Sequence, residues 1–208
     1  MNRPLLIALR LTFGVLTLVA IGIQLNIQIG NSQSIVNFFS YFTNLSNLLA
    51  AFVLLYGAYR TATQRAPTPL LDLIRTAAAI NMLVVGIVFA LLLRDVDLGA
   101  LLPWINTQLH YVMPVFVVGE WLLVPPQTKL GIRQLVLCLL FPVAYLAYVL
   151  VRGAITNWYP YPFLNPETVG GYDQVALYAL AIVGVFLAAS WIAMRVSSRR
   201  SLSASTNS

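Results

Sequence analysis

Thr43 and His110 are the two residues with the clearest capacity for chemistry, and both fall inside apolar stretches. Thr43 belongs to Phe38–Leu49, FFSYFTNLSNLL, which carries Ser40, Thr43, Asn44, Ser46 and Asn47 within eight residues. Polar groups in hydrocarbon cost several kcal/mol each unless they find partners, so this stretch must face a neighbour, a cavity or a ligand. At about 100° per residue, Ser40, Thr43, Asn44 and Asn47 share an arc of roughly 100°, while Phe42, Leu45 and Leu49 point away. The arc reads as the polar wall of an intramembrane pocket. His110 is the only histidine, and an imidazole with an ordinary pKa near 6.5 is suited to general-base work. Pro114, four residues on, lacks the N–H that would bond to the His110 carbonyl, which opens the helix there.

A hydroxyl becomes a nucleophile when a base lies within reach and donors stabilise the oxyanion. On that reading Thr43 attacks, His110 takes the proton, Asn44 or Asn47 supplies amide donors, and Asn106, one turn before His110, orients the ring. The packing alternative is equally specific. Threonine in a membrane helix commonly bonds back to a carbonyl one turn earlier, and histidine and asparagine bridge neighbouring helices. Residue types alone leave both readings open.

These groups need elements to position them. Of the 208 residues, 60% are hydrophobic and 9% charged, and the mean hydropathy is +0.83. No ordinary soluble domain has that balance. The fold class expected is all-α, an integral membrane six-helix bundle, with the six-transmembrane-helix domain over residues 1–196 and a disordered polar tail over 197–208. Six apolar segments, near 8–29, 38–59, 71–93, 105–124, 134–151 and 173–194, are each long enough to cross about 30 Å at about 1.5 Å per residue. The first is too long for a secretory signal and lacks a small-residue cleavage site, so it is retained. The net charge of +6 does not point to nucleic acid, because the basic residues sit at the ends of apolar segments as topology signals. Ten lie on one side, Arg3, Arg10, Arg60, Arg65, Arg75, Lys129, Arg133, Arg195, Arg199 and Arg200, against Arg94 and Arg152 on the other. Both termini are therefore expected in the cytoplasm of a multi-pass cell-membrane protein.

That orientation pairs the two reactive residues. Thr43 and His110 each lie about six residues into a helix starting at the outer face, hence at similar depth, on the order of 9 Å down. Gln24 and Gln108 gather at the same level and, with Ser40 and Ser46, are expected to line the pocket. The Pro- and Gly-rich loop Tyr159–Tyr172 (YPYPFLNPETVGGY) is placed to cover it. A lone histidine excludes a two-histidine haem and clustered zinc or di-iron sites. Cys138 is the only cysteine, so no thiolate metal site is expected and no cofactor is assigned. Glu120 lies ten residues after His110, about 80° around the helix and roughly 15 Å deeper. It cannot orient the imidazole, and a structural ion pair with Lys129, Arg133 or Arg75 is expected instead.

FFSYFTNLSNLLA, NTQLHYVMP (Asn106–Pro114) with GEWLL after it, and the YPYPFLNP loop together resemble the androgen-induced, AIG-type (FAR-like) family of six-helix membrane proteins, in its bacterial branch. The resemblance covers most of the chain in order and spacing. It implies a membrane-embedded hydrolase of a lipidic ester, of the fatty acid ester of hydroxy fatty acid type, in the bacterial inner membrane. The family's nucleophilic threonine and its histidine fall on Thr43 and His110, with a fatty-acyl ester as partner. A rival reading uses the same polar residues, continuing past Asn81 and Glu120, as the path of a carrier or channel for a small polar solute or proton.

Overall fold

A computed structural model of the chain describes residues 2–96, 101–128 and 130–205, with residues 198–205 described by backbone alone. Every regular element among the described residues is helical. Among the described residues five helices are long and apolar enough to cross a membrane. They are α1 (Arg3–Gly30), α3 (Phe42–Ala62), α4 (Pro69–Val88, prolonged by a π turn at Phe89–Leu93), α7 (Ile132–Thr156) and α9 (Tyr172–Ser205). α9 runs on to Ser205, through most of the stretch expected to form the polar tail.

The expected fourth segment is a helical run in three pieces, not one regular helix. α5 (Pro103–Thr107) leads into a π turn (Gln108–Val112), which leads into α6 (Met113–Leu123). The π turn closes with the Met113 N–H donating to the Gln108 carbonyl. Pro114 has no N–H to continue the α pattern, and the chain absorbs the loss by widening one turn. The opening anticipated from Pro114 is present as this π turn.

The expected second span, 38–59, is corrected. A short helix, α2 (Ile35–Phe39), ends at Ser40, and α3 begins only at Phe42. Tyr41 between them is extended, at φ −79° and ψ 124°. Ser34 caps α2 by accepting from the Asn37 N–H. Ser40 therefore leaves the polar arc of the span, and Thr43 stands in the first turn of α3, where backbone N–H groups have no partner within the helix.

Two ends of the bundle can be told apart. Arg3 donates to the Thr61 carbonyl from two guanidinium nitrogens. Ser197 donates to the Thr128 carbonyl and accepts from the Leu130 N–H. The start of α1 and the later part of α9 thus share one end with the close of α3, the terminal end. At the opposite end, the loop end, lie α2, α5, the start of α3 and the segment 157–171, which holds a 3-10 turn (Pro162–Leu164) and α8 (Pro166–Val169). Between them Leu54, Met82, Val85, Phe89, Met113 and Val117 form a buried apolar core linking α3, α4 and α6.

Candidate functional site

The loop end holds a partly open cavity of about 690 Å³. Gln24 and Gln28 of α1, Asn37 of α2, Thr43 and Asn44 of α3, and His110 of the π turn line it. Its cover is the segment Trp158–Pro162 with Asn165 and Thr168, so the loop expected to form a lid does contribute a wall. Thr43 and His110, paired in the sequence by depth and by the family resemblance, both line this one space.

His110 is fixed by two neighbours, Asn106 and Phe89. Its Nδ1 lies 2.7 Å from Asn106 Oδ1 and 3.2 Å from the Asn106 backbone carbonyl. A carbonyl can only accept, so Nδ1 carries the proton and Nε2 is left as the basic nitrogen. Phe89 stacks on the ring with centroids 4.0 Å apart and planes 20° apart. That contact joins the two π turns, one at the end of α4 and one at His110. Gly86, one turn before Phe89, lets them meet: a Cβ there would stand 3.1 Å from Pro114 Cβ, tighter than ordinary contact.

Thr43 is held differently. Its N–H and that of Phe42, two of the unpaired donors at the start of α3, are satisfied by tyrosine hydroxyls from elsewhere in the chain. Phe42 N–H donates to Tyr145 at 3.2 Å, and Thr43 N–H donates to Tyr161 at 3.3 Å. The same Tyr161 hydroxyl lies 3.4 Å from Thr43 Oγ1. Burial pushes the Tyr161 phenol above its ordinary range, so it stays protonated and can donate. Tyr161 stacks on Phe163, with centroids 5.2 Å apart, which sets the ring at the mouth of α3.

Asn47 is not where the sequence placed it. Its amide donates to the Thr43 carbonyl at 2.9 Å and to the Leu109 carbonyl at 3.1 Å. Both amide protons are occupied, it is fully buried, and it does not line the cavity. Asn47 is a brace that ties the backbone of Thr43 to the residue before His110. Asn44 does face the cavity. One of its amide protons goes to the Phe38 carbonyl at 2.8 Å, which leaves the second directed elsewhere. Gln24 lines the cavity and accepts from the Leu102 N–H at 3.4 Å.

The other residues expected to line the pocket are placed outside it. Ser40 donates to the Val36 carbonyl and pairs with the Tyr148 hydroxyl, both at 2.8 Å. Ser46 is fully buried within α3, and its hydroxyl has no partner among the described residues. Gln108 donates to Thr17 on α1 at 3.1 Å. Asn106, by contrast, accepts from the His110 ring as the residue expected to orient it. The physical reason is common to Ser40, Ser46 and Gln108. An angular arc shows which side of a helix a residue occupies, but only the neighbouring helices decide whether that side meets a space or another helix.

A second polar group lies at the terminal end. Glu120 is 6% exposed and carries two guanidiniums on its carboxylate. Arg10 donates to Oε1 from Nε at 3.0 Å and also from its terminal nitrogen. Arg75 donates to Oε1 and Oε2, each at 3.0 Å. Arg10 further donates to the Gly57 carbonyl and to Thr61 Oγ1. Gly57 permits this approach, since a Cβ there would stand 3.3 Å from the guanidinium carbon. Arg75 lies 3.8 Å from Asp72, whose other oxygen accepts from the N–H groups of Gln127 and Thr128 and from the Thr128 hydroxyl. The ion pair expected between Glu120 and Arg75 is therefore present. Lys129, one of the other partners expected for Glu120, lies outside the described residues. Arg10 was counted only as a topology charge and is instead a buried partner.

Three participants escaped the sequence: Tyr161, Phe89 and Arg10. The YPYPF motif marked Tyr161 as a loop aromatic, but no signal fixed where its hydroxyl would aim. Phe89 reads as one apolar residue in an apolar run.

The helices and the enclosed polar space define a multi-pass membrane protein with a buried polar site at one end of the bundle. The chain belongs to the FAR-17a/AIG1-like protein family, which matches residues 7–194. No curated protein and no solved structure matches it at a significant level.

Proposed function

We propose that the protein is a membrane-embedded hydrolase of lipidic esters, with Thr43 as nucleophile and His110 as general base. The observation that carries the reading is the shared cavity. Thr43 and His110 both line it, Asn47 braces their backbones together, and Asn106 leaves Nε2 of the imidazole free to accept a proton. In the reaction, Thr43 Oγ attacks the ester carbonyl as its proton moves to His110 Nε2. That proton then passes to the departing alkoxide. Water, activated by the same nitrogen, releases the acid from the threonyl ester. The second amide proton of Asn44 and the Tyr161 hydroxyl are the donors available to the oxyanion, replacing the role expected of Asn47.

On this reading the helical run Pro103–Leu123 is a sixth span and both termini face the cytoplasm. The cavity then opens towards the outer leaflet of a bacterial inner membrane, and an ester enters sideways. A conduction path, by contrast, would have to pass Glu120, whose two oxygens are already held by two guanidiniums. The experiment is labelling with a fluorophosphonate probe. Wild-type protein is expected to label and Thr43→Ala is not; equal labelling of the two overturns the assignment. Flux across liposomes that survives Thr43→Ala and fails in Glu120→Gln would establish the carrier instead.

A further inference from the structure

Thr43 borders two hollows. Besides the polar cavity, a smaller crevice of about 120 Å³ lies between α4, α7 and α9. Thr43, Tyr161 and Leu93 line both, so the Thr43 hydroxyl stands where a polar space and an apolar one meet. The crevice wall is otherwise almost wholly hydrocarbon. Its only other polar side chain is Tyr145, and that hydroxyl is already used, donating to the Ser40 carbonyl at 2.8 Å and accepting from the Phe42 N–H. A ligand in this crevice can therefore meet a polar group only at the Thr43 end. At the rim, Val143 of α7 and Val183 of α9 are exposed, on faces where a spanning bundle meets lipid chains. Water-filled or polar occupants have no partners here.

The geometry points to this crevice as the acyl-chain site, an inference that rests on the hydrolase reading and orients its substrate. The ester carbonyl lies at Thr43, the fatty-acyl chain runs between α4, α7 and α9, and the alcohol portion faces the amides of the larger cavity. A chain moving from bilayer to crevice changes its exposure to water little, so selection among acyl chains rests on fit. Ala179 on α9 is the smallest side chain in the wall, and enlarging it fills the space.

The test is a series of alkyl fluorophosphonates of increasing chain length on wild type, Ala179→Phe and Phe186→Ala. Ala179→Phe is expected to slow labelling by the long-chain probes about tenfold or more, the scale of steric discrimination in an apolar pocket, with the shortest probe changed less than about threefold. Phe186→Ala is expected to speed labelling by bulky chains. An unchanged chain-length profile in both variants, or an equal loss at every length in a well-folded Ala179→Phe, overturns the inference. A diazirine-bearing palmitoyl ester crosslinked to Thr43→Ala protein gives a readout free of turnover. Adducts on the crevice faces of α7 and α9 that unlabelled ester competes away support the site, even where the hydrolase reading has failed by equal labelling of Thr43→Ala. Adducts confined to the larger cavity, or insensitive to competition, overturn it.

Discussion

Two of the polar groups buried in the bundle, one at each end, are handled in opposite ways. At the terminal end Arg10, Arg75, Glu120 and Asp72 are packed against one another, and each charge meets a counter-charge or a backbone partner. No hollow separates them. At the loop end Thr43, Asn44 and His110 line a cavity, and the imidazole is held by protein on one nitrogen only. A buried group whose partners are all present contributes to assembly, and one left with an unused lone pair facing a cavity is poised for a ligand. The proposed function rests on this contrast, in which only the loop-end groups face a cavity with hydrogen-bonding capacity to spare.

Four substitutions sharpen or break this contrast. Thr43→Ala should abolish covalent labelling, while its unfolding midpoint in detergent stays close to wild type. A loss of both would move Thr43 into the structural class. His110→Ala should slow labelling by about 10²–10⁴, the usual contribution of a positioned base, again with little change in unfolding. Glu120→Ala should do the reverse. Removing one partner strands two buried guanidiniums and costs about 3–5 kcal/mol, read as a lower denaturation midpoint. The protein that still folds should keep its labelling rate per folded molecule. Asn47→Leu falls between the two classes. It removes one interhelical hydrogen bond, to Leu109, of about 0.6–1.7 kcal/mol in membrane proteins, together with the bond to the Thr43 carbonyl within α3, and loosens the brace, so both midpoint and labelling rate should fall modestly. Were Asn47→Leu to cost labelling as much as His110→Ala, the amide would belong to the reacting shell after all.

Depth along the expected spans pairs Thr43 with His110, and both line one cavity, but the premise fails for Thr43, which stands in the first turn of α3 instead of about six residues into a helix. The opening of the helix at His110 is legible from Pro114, a loss of one donor at a known position. Ser40 was misplaced because the break at Tyr41 carries no glycine or proline to announce it. Its cause is distant: hydroxyls from α7 and the 161 loop cap α3 in place of a local side chain. Asn44 and Asn47 could not be told apart by an arc, since which one meets the cavity depends on where Leu109 packs. Arg10 was legible as a charge near a helix end and illegible as a core residue. Its long side chain reaches inward only because Glu120, Gly57 and Thr61 stand ready to receive it.

Arg10 and Glu120 are 110 residues apart in the chain, and that interval has a bearing on biogenesis. When the first helix leaves the ribosome and partitions into lipid, the carboxylate that will neutralise its guanidinium has not yet been translated. An arginine at a helix centre costs about 2.5–3.5 kcal/mol on insertion, but this one sits near the start and can reach back to the headgroups. It can move into its final seat only after the segment ending at Leu123 has been made. α1 thereby takes its final place only after four later helices, from α3 to α6, have been made.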